Sequence, residues 1–310
     1  MIQDLLTFAV TFAVAIALYP PFIRLLKRRR AGQVIQAELP EAHQRKAGTP
    51  TAGGILFTAL ALVGGALAWR AGHAGAAAPL VGLAAGGLIG LADDLRKLRV
   101  GSLGIPARAK FPLQLLLAVP VAYLAHNGHQ WPIGPDLGAW YWPVAVVAIA
   151  GTANAVNISD GIDGLCAGLS IIALLALLFG VPNAQPGEKA TGLVLLGGVA
   201  AFLVYNRHPA RVFMGDAGAL AIGYAIAAMA IAQGYVLALL IAGFVFEIET
   251  LSVIIQVAYF KATKGRRVFK MTPIHLTFQL EGWSENRIAL SFWSAAAVAG
   301  LLAAGATRWL

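Results

Sequence analysis

Apolar runs recur along the chain near 3–25, 52–69, 75–92, 109–125, 141–157, 164–181, 190–205, 216–232, 235–259 and 287–306. Crossing the hydrocarbon of a bilayer as a helix takes about 20 mostly apolar residues. The pattern therefore predicts an all-α integral membrane protein with about ten transmembrane helices, several short or interrupted by glycine. Between the runs lie short polar islands and one long basic loop. Segments 127–140 and 182–189, rich in Pro and Gly, read as external loops. Neither a solenoid repeat, an extramembrane domain nor a low-complexity tail is evident, so residues 1–310 read as a single polytopic membrane domain.

Composition agrees. Hydrophobic residues make up 59% and charged residues 12% of the chain, and mean hydropathy is +0.74; a soluble domain carries roughly 25% charged residues. Charge placement then orients the spans. With ten of them, loops 26–51, 93–108, 158–163, 206–215 and 260–286 share one side, together with the adjoining helix ends. Of the 23 Lys and Arg, all but Arg70, Lys189 and Arg308 fall there. The positive-inside rule puts that side in the cytoplasm and both termini on the extracytoplasmic side. The net charge of +9 is then a property of the face that meets anionic lipid headgroups and substrate, which disfavours nucleic acid as a partner. The first run ends in Lys27-Arg28-Arg29-Arg30 without a small-residue cleavage pattern and reads as a retained helix. Cys166 is the single cysteine, so an intramolecular disulfide or a cysteine-based zinc site is ruled out.

Five aspartates stand out against this background. A carboxylate at the centre of a span costs about 3 kcal/mol on insertion scales, so acids survive at helix ends, in cavities or for function. Loop order alone brings Asp93, Asp94, Asp160, Asp163 and Asp216 to the cytoplasmic face, where three islands can form one site. In the first island, Asp93 and Asp94 adjoin Arg96 and Lys97. Adjacent carboxylates repel unless a cation offsets them, and Mg²⁺ suits such a pair because it takes one or two carboxylates and fills its shell with water and phosphate oxygens. A solvated acid pair at a helix end is the plainer alternative.

The second island runs from Asn154 through Asn157, Asp160, Gly161, Asp163 and Gly164. It is more polar than a helix-to-helix turn requires, and it lacks the distal bidentate Glu of a calcium loop. In the third, Tyr205 to Gly218, Asp216 sits beside glycines where a helix begins, and exposed amides there favour phosphate oxygens. The basic loop, Lys261 to Arg287, contains His275 and reads as facing water. Acids for a metal, lysines for phosphates and amides for a nucleotide are the parts of a phosphoryl-transfer site.

The strings His43-x-x-Lys46-x-Gly48-Thr49-Pro50-Thr51-x-Gly53-Gly54, Asp93-Asp94, Asn154-x-x-Asn157-x-x-Asp160-Gly161-x-Asp163-Gly164-Leu165, Phe213-Met214-Gly215-Asp216 and Pro273-Ile274-His275 follow one another in this order. Together they resemble the polyprenyl-phosphate N-acetylhexosamine-1-phosphate transferase superfamily, and within it most closely the phospho-N-acetylmuramoyl-pentapeptide transferases. The resemblance covers most of the chain. It implies a ten-helix fold with the active site on the cytoplasmic face of the bacterial inner membrane. The implied reaction, in peptidoglycan biosynthesis, moves phospho-MurNAc-pentapeptide from UDP-MurNAc-pentapeptide to undecaprenyl phosphate, giving lipid I and UMP with Mg²⁺ as cofactor. A second copy of the chain, in a homodimer, is a further candidate partner. Matched motif by motif, Asp216 is the metal carboxylate, with Asn157 beside it. Asp93 and Asp94 handle the lipid phosphate and metal charge, Asp93 being the candidate base. Asn157, Asp160, Asp163, Asn206 and Phe213 surround the nucleotide, Lys46 and Thr51 belong to the nucleoside-side motif, Lys110 and Gln256 are further substrate contacts, and His275 is catalytic.

The chain departs from the family at two places. Three consecutive histidines usually follow Pro-Ile, whereas here His275 precedes Leu276 and Thr277; histidines restored at 276 and 277 are expected to be tolerated in a loop that faces water. A hydroxyl usual after Gly-Asp-x-Gly is lost at Ala219. Two other readings compete. A sister transferase would use UDP-GlcNAc or a similar sugar nucleotide with the same lipid phosphate. A transporter would use buried acids for an ion or proton, for which Glu247 and Glu249 are the main candidates within a span.

Overall fold

The structure, a computed structural model, describes residues 2–29, 46, 48–100, 104–126 and 137–307. His43 of the first motif, Arg30, Arg308 and most of the loop expected at 127–140 lie outside the described residues. Helices account for every apolar run: α1 (Ile2–Arg28), α2 (Gly54–Arg70), α3 (Ala77–Val100), α4 (Ala107–Ala125), α5 (Tyr141–Ile158), α6 (Leu165–Leu175), α7 (Pro186–Asn206), α8 (Asp216–Ala232), α9 (Val236–Ala242), α10 (Phe244–Ala262), α11 (Ile274–Leu280) and α12 (Glu285–Ala306). No β-strand occurs among the described residues.

One run and the basic loop differ from their expected form. The stretch 235–259 is two helices, α9 and α10, parted at Gly243. The basic loop is not open chain throughout, since it folds α11 at its end, with His275 and Leu276 buried. By length and composition, five helices among the described residues can cross a membrane. They are α1, α3 and α5 (each of the last two with its preceding 3₁₀ turn), α7 and α12, while α2, α6 with its π-helical extension and α8 are apolar but shorter. Leu5, Leu6 and Val10 on α1, Leu116 on α4, Ile254 on α10 and Leu301 on α12 are large, apolar and exposed, as lipid-facing positions are. The molecule is an all-α membrane protein.

At its centre stands α8, every residue of which is buried. It packs against α2, α3, α4 and α5. The closest approach is to α3, and glycine makes it. Gly82, Gly86 and Gly90 recur at the four-residue spacing that lines one helix face, and opposite them lie the carbonyls of Tyr224, Leu220 and Asp216. A Cβ on Gly82 would come within 3.1 Å of the Tyr224 carbonyl oxygen, and on Gly86 or Gly90 it would collide with backbone. Small residues let helix backbones close up where no water is present to drive association. On the other side, a Cβ on Gly54 of α2 would strike the Gly218 backbone. This wedge of small residues is what places the Gly90–Asp94 turn of α3 beside the first turn of α8.

Candidate active site

One turn beyond Gly90, α3 delivers Asp93 and Asp94, both buried, onto the start of α8. Asp94 caps that helix: its Oδ1 accepts from Asp216 N at 3.0 Å and its Oδ2 from Ala217 N at 3.1 Å. A carboxylate is well placed there, since a helix start exposes unpaired amides and the positive end of its dipole. The chain turns into α8 at Gly215, with φ of 75°, where a Cβ would lie 2.7 Å from Asp94 Oδ2. Only glycine suits that conformation in that space.

Asp216 is held by two lysines. Lys97 Nζ reaches its Oδ1 at 2.9 Å, and Lys110 of α4 bonds its Oδ2. Lys97 also pairs with Asp93 Oδ2 at 2.7 Å, with Lys110 3.7 Å from the same oxygen. Asp93 Oδ1 accepts from Ile105 N at 2.6 Å. Asp160, in the loop after α5, completes the group. Burial, then the Asp216 and Asp94 carboxylates, push its pKa well above the usual carboxylate range, with the Gly215 N–H acting against them. Four carboxylates thus converge with two ammonium groups, and Asp94 and Asp160 are the two acids without a cationic partner among the described residues. Hard oxygen donors with an excess of negative charge are a donor set that Mg²⁺ accepts.

A second network shares no hydrogen bond with the first among the described residues. Lys46 Nζ lies 2.7 Å from both Asp163 Oδ1 and Glu285 Oε2. Asp163 Oδ2 meets His208 Nδ1 at 2.9 Å and accepts from Ala210 N at 3.0 Å, and Glu285 Oε2 accepts from Asp163 N. Asn206 ties the same loops together, accepting from Gly164 N and donating to Val212 O. These bonds join the Lys46 segment, the second and third islands and the start of α12. Replacing Lys46 with Met leaves two buried carboxylates without their cation and is expected to cost about 3 kcal/mol. A lowered unfolding midpoint in detergent, partly recovered by adding Glu285→Gln, is the measurement; an unchanged midpoint contradicts it.

Of the other predicted positions, Thr51 and Phe213 lie together. The Phe213 N–H donates to Pro50 O at 2.8 Å, and its carbonyl accepts from Gly53 N at 2.8 Å. Asn157, in the last turn of α5, is half-buried, with no side-chain hydrogen bond among the described residues. Gln256 spends its amide on the basic loop, accepting from Val268 N and Phe269 N and donating to Phe269 O. His275 is buried against Glu249 of α10. The loop from 273 on does not face water as expected. Leu276 packs inside, and the Thr277 hydroxyl donates to Met271 O and accepts from Met271 N. Histidines at 276 and 277 would break that packing, and the tolerance expected for them is withdrawn. Ala219, where the hydroxyl was lost, is fully buried in α8.

Sequence reasoning did not assign roles to Lys97, His208 or Glu285. For Lys97 a signal existed, because Asp93 and Lys97 are four residues apart on one helix, the spacing that lets side chains pair. His208 and Glu285 carried none, since only the tertiary fold brings them to Asp163.

Residues 76–234 match glycosyl transferase family 4. A phospho-N-acetylmuramoyl-pentapeptide-transferase of Heliobacterium modesticaldum is 40% identical over 306 residues, covering 95% of this chain and 95% of that protein. The protein of the same name from Listeria welshimeri is 38% identical over 313 residues, covering 96% and 95%. One from Bacillus anthracis is 41% identical over 303 residues, covering 94% and 93%.

Proposed function

The chain belongs to the phospho-N-acetylmuramoyl-pentapeptide-transferase family, within glycosyl transferase family 4, and from that membership we propose how its residues carry out the transfer. The activity is movement of phospho-MurNAc-pentapeptide from its UDP carrier to undecaprenyl phosphate, forming lipid I and UMP. The protein sits in the bacterial inner membrane as ten spans with both termini outside and the aspartates at the cytoplasmic face.

The observation that carries this reading is the convergence of Asp93, Asp94, Asp160 and Asp216 with Lys97 and Lys110 at the meeting of α3 and α8. An oxygen of the lipid phosphate attacks the sugar-bound phosphorus of the donor, the bond to the UMP phosphate breaks, and UMP leaves. Asp93 accepts any proton carried by the attacking phosphate. Lys97 and Lys110 pair with the non-bridging oxygens on which charge accumulates, which lowers the barrier by charge stabilisation. Asp216 and Asn157 are the residues that would hold Mg²⁺, whose chemistry is to neutralise the diphosphate. Asp94, by capping α8, keeps Asp216 in place. Lys46, Thr51, Asp163, Asn206 and Phe213 form the nucleotide end. An apolar cavity of about 290 Å³ between α5, α6, α8, α9 and α10, lined by Leu177, Ile226, Leu239 and Phe246 among others, suits part of an isoprenoid chain.

Labelled UDP-MurNAc-pentapeptide and undecaprenyl phosphate in detergent test the reading. Lipid-linked label and UMP are expected with Mg²⁺ and are lost on chelation. Consumption of UDP-GlcNAc in place of the muramoyl donor would instead identify the sister transferase. Asp160→Ala and Asp163→Ala are each expected to lower turnover at least about tenfold, a loss of roughly 1.4 kcal/mol of transition-state stabilisation. Wild-type turnover and donor affinity in both variants would remove the second island from the site.

A further inference from the structure

His275 and Glu249 form a couple that the transfer chemistry above leaves without a role. His275 is 1% exposed and Glu249 0%, and His275 Nδ1 lies 2.8 Å from Glu249 Oε2. The remaining atoms, His275 Nε2 and Glu249 Oε1, have no hydrogen-bond partner among the described residues. An unpaired buried polar atom costs about 1–3 kcal/mol, so a pair of apolar side chains would fill this space with less penalty. The far edge of the imidazole presses on the second island. A Cβ on Gly161 would lie 2.6 Å from His275 Cε1 and nearer still to Nε2. Gly161 directly follows Asp160, the acid that joins the Asp93, Asp94 and Asp216 group without a cationic partner among the described residues.

We infer that Glu249 is a positioning residue for the transfer reaction: it holds the His275 ring so that its Nε2 edge braces the Asp160–Gly161 turn. The inference rests on the transferase reading. Glu249 Oε2 accepts from Nδ1–H, which fixes the tautomer and the ring plane together. Nε2 is then always the nitrogen turned toward the turn. Glu249 lies within α10 and acts through His275, and His275 acts through Gly161 on the path of the chain at Asp160. Gly161 is required because the imidazole occupies the space of a side chain.

Kinetics and histidine spectra of the full-length protein in detergent, with UDP-MurNAc-pentapeptide and undecaprenyl phosphate, test this. His275→Ala and Glu249→Leu are each expected to lower kcat at least about tenfold with donor KM little changed. Glu249→Gln keeps an acceptor at the same place and should recover most of the rate. In a His275→Ala background, Glu249→Leu should cost nothing further, because residues acting as one unit are not additive. ¹⁵N spectra should show His275 protonated at Nδ1 in the wild type and in Glu249→Gln, and a mixture of tautomers in Glu249→Leu. Wild-type kcat in Glu249→Leu, or additive losses in the double variant, would overturn the inference. Should Glu249→Leu not fold, Gly161→Ala replaces it; a loss matching His275→Ala and not additive with it is expected, and additivity overturns the proposal. A wild-type protein that turned over only UDP-GlcNAc would sink the muramoyl reading while leaving the Nδ1 signal in place, so the two failures are distinguishable.

Discussion

Asp216→Asn is expected to lower turnover at least about a thousandfold, or about 4 kcal/mol in the barrier, while the protein stays folded and membrane-inserted. Asn keeps the size of Asp but loses the charge toward which Lys97 and Lys110 both point. One end of the amide is also a donor, so it meets one of the two ammonium groups donor to donor. The carboxylate proposed to hold the metal and the seat of the lysines proposed to meet phosphate are lost together. Folding should survive, because Asp94 caps α8 through the backbone N–H groups of Asp216 and Ala217 and needs no side chain there. Single-turnover rates beside circular dichroism and gel filtration separate the two effects. A folded Asp216→Asn protein with more than about a tenth of wild-type turnover would move the metal elsewhere.

Gly90→Ala is expected to cost about a hundredfold in turnover although no group that touches substrate is changed. Alanine is the better helix former by about 1 kcal/mol. Opposing that gain, its Cβ collides with the Asp216 carbonyl and the Ala217 nitrogen, which are backbone and cannot swing aside. Overpacking typically costs about 1–3 kcal/mol, so the clash prevails and α3 moves off α8. Asp93 and Asp94, one turn on, move with it, and a misplacement of about 1 Å can cost about a hundredfold. Gly87→Ala is the control. A Cβ there would meet only the Thr58 methyl at 3.2 Å and the Ala221 Cβ at 3.9 Å, and turnover should stay within about threefold. Equal losses in the two variants would mean that helix flexibility, and not close approach, is what Gly90 provides.

The apolar runs were legible because a lipid-facing or buried helix must be apolar along its length, and each run carries a helix. The break at Gly243 was not, since glycine interrupts many of these helices without breaking them, among them α2 at Gly64 and Gly65 and α3 at Gly82, Gly86 and Gly90. The fold of α11 within the basic loop was hidden for another reason. Its burial depends on α10, where Glu249 meets His275 and Gln256 holds the loop before the helix at Val268 and Phe269, and local polarity says nothing of that. Within the site, the aspartates announced themselves by their expense in an apolar chain. Glu249 did so as well, but its partner is 26 residues away, and a transporter was the reading its depth invited. The Lys46–Asp163–Glu285 network spans most of the chain, and charge spacing along the sequence cannot reveal such a junction.

The pairing of α3 with α8 also sets an order in time. Asp94 and the Asp216 amide that it caps are 122 residues apart in the chain, so during synthesis the glycine face of α3 waits for a helix made long after it. Contacts so distant in sequence form late, because their loops must be closed first. Until α8 arrives, Asp93 and Asp94 stand at the end of a helix whose groove is empty, and the lysines have no Asp216 to hold. The centre is therefore assembled only when the eighth helix slots between neighbours already in the membrane. A nascent chain that stalls before residue 216 carries most of the apolar fold and none of the chemistry.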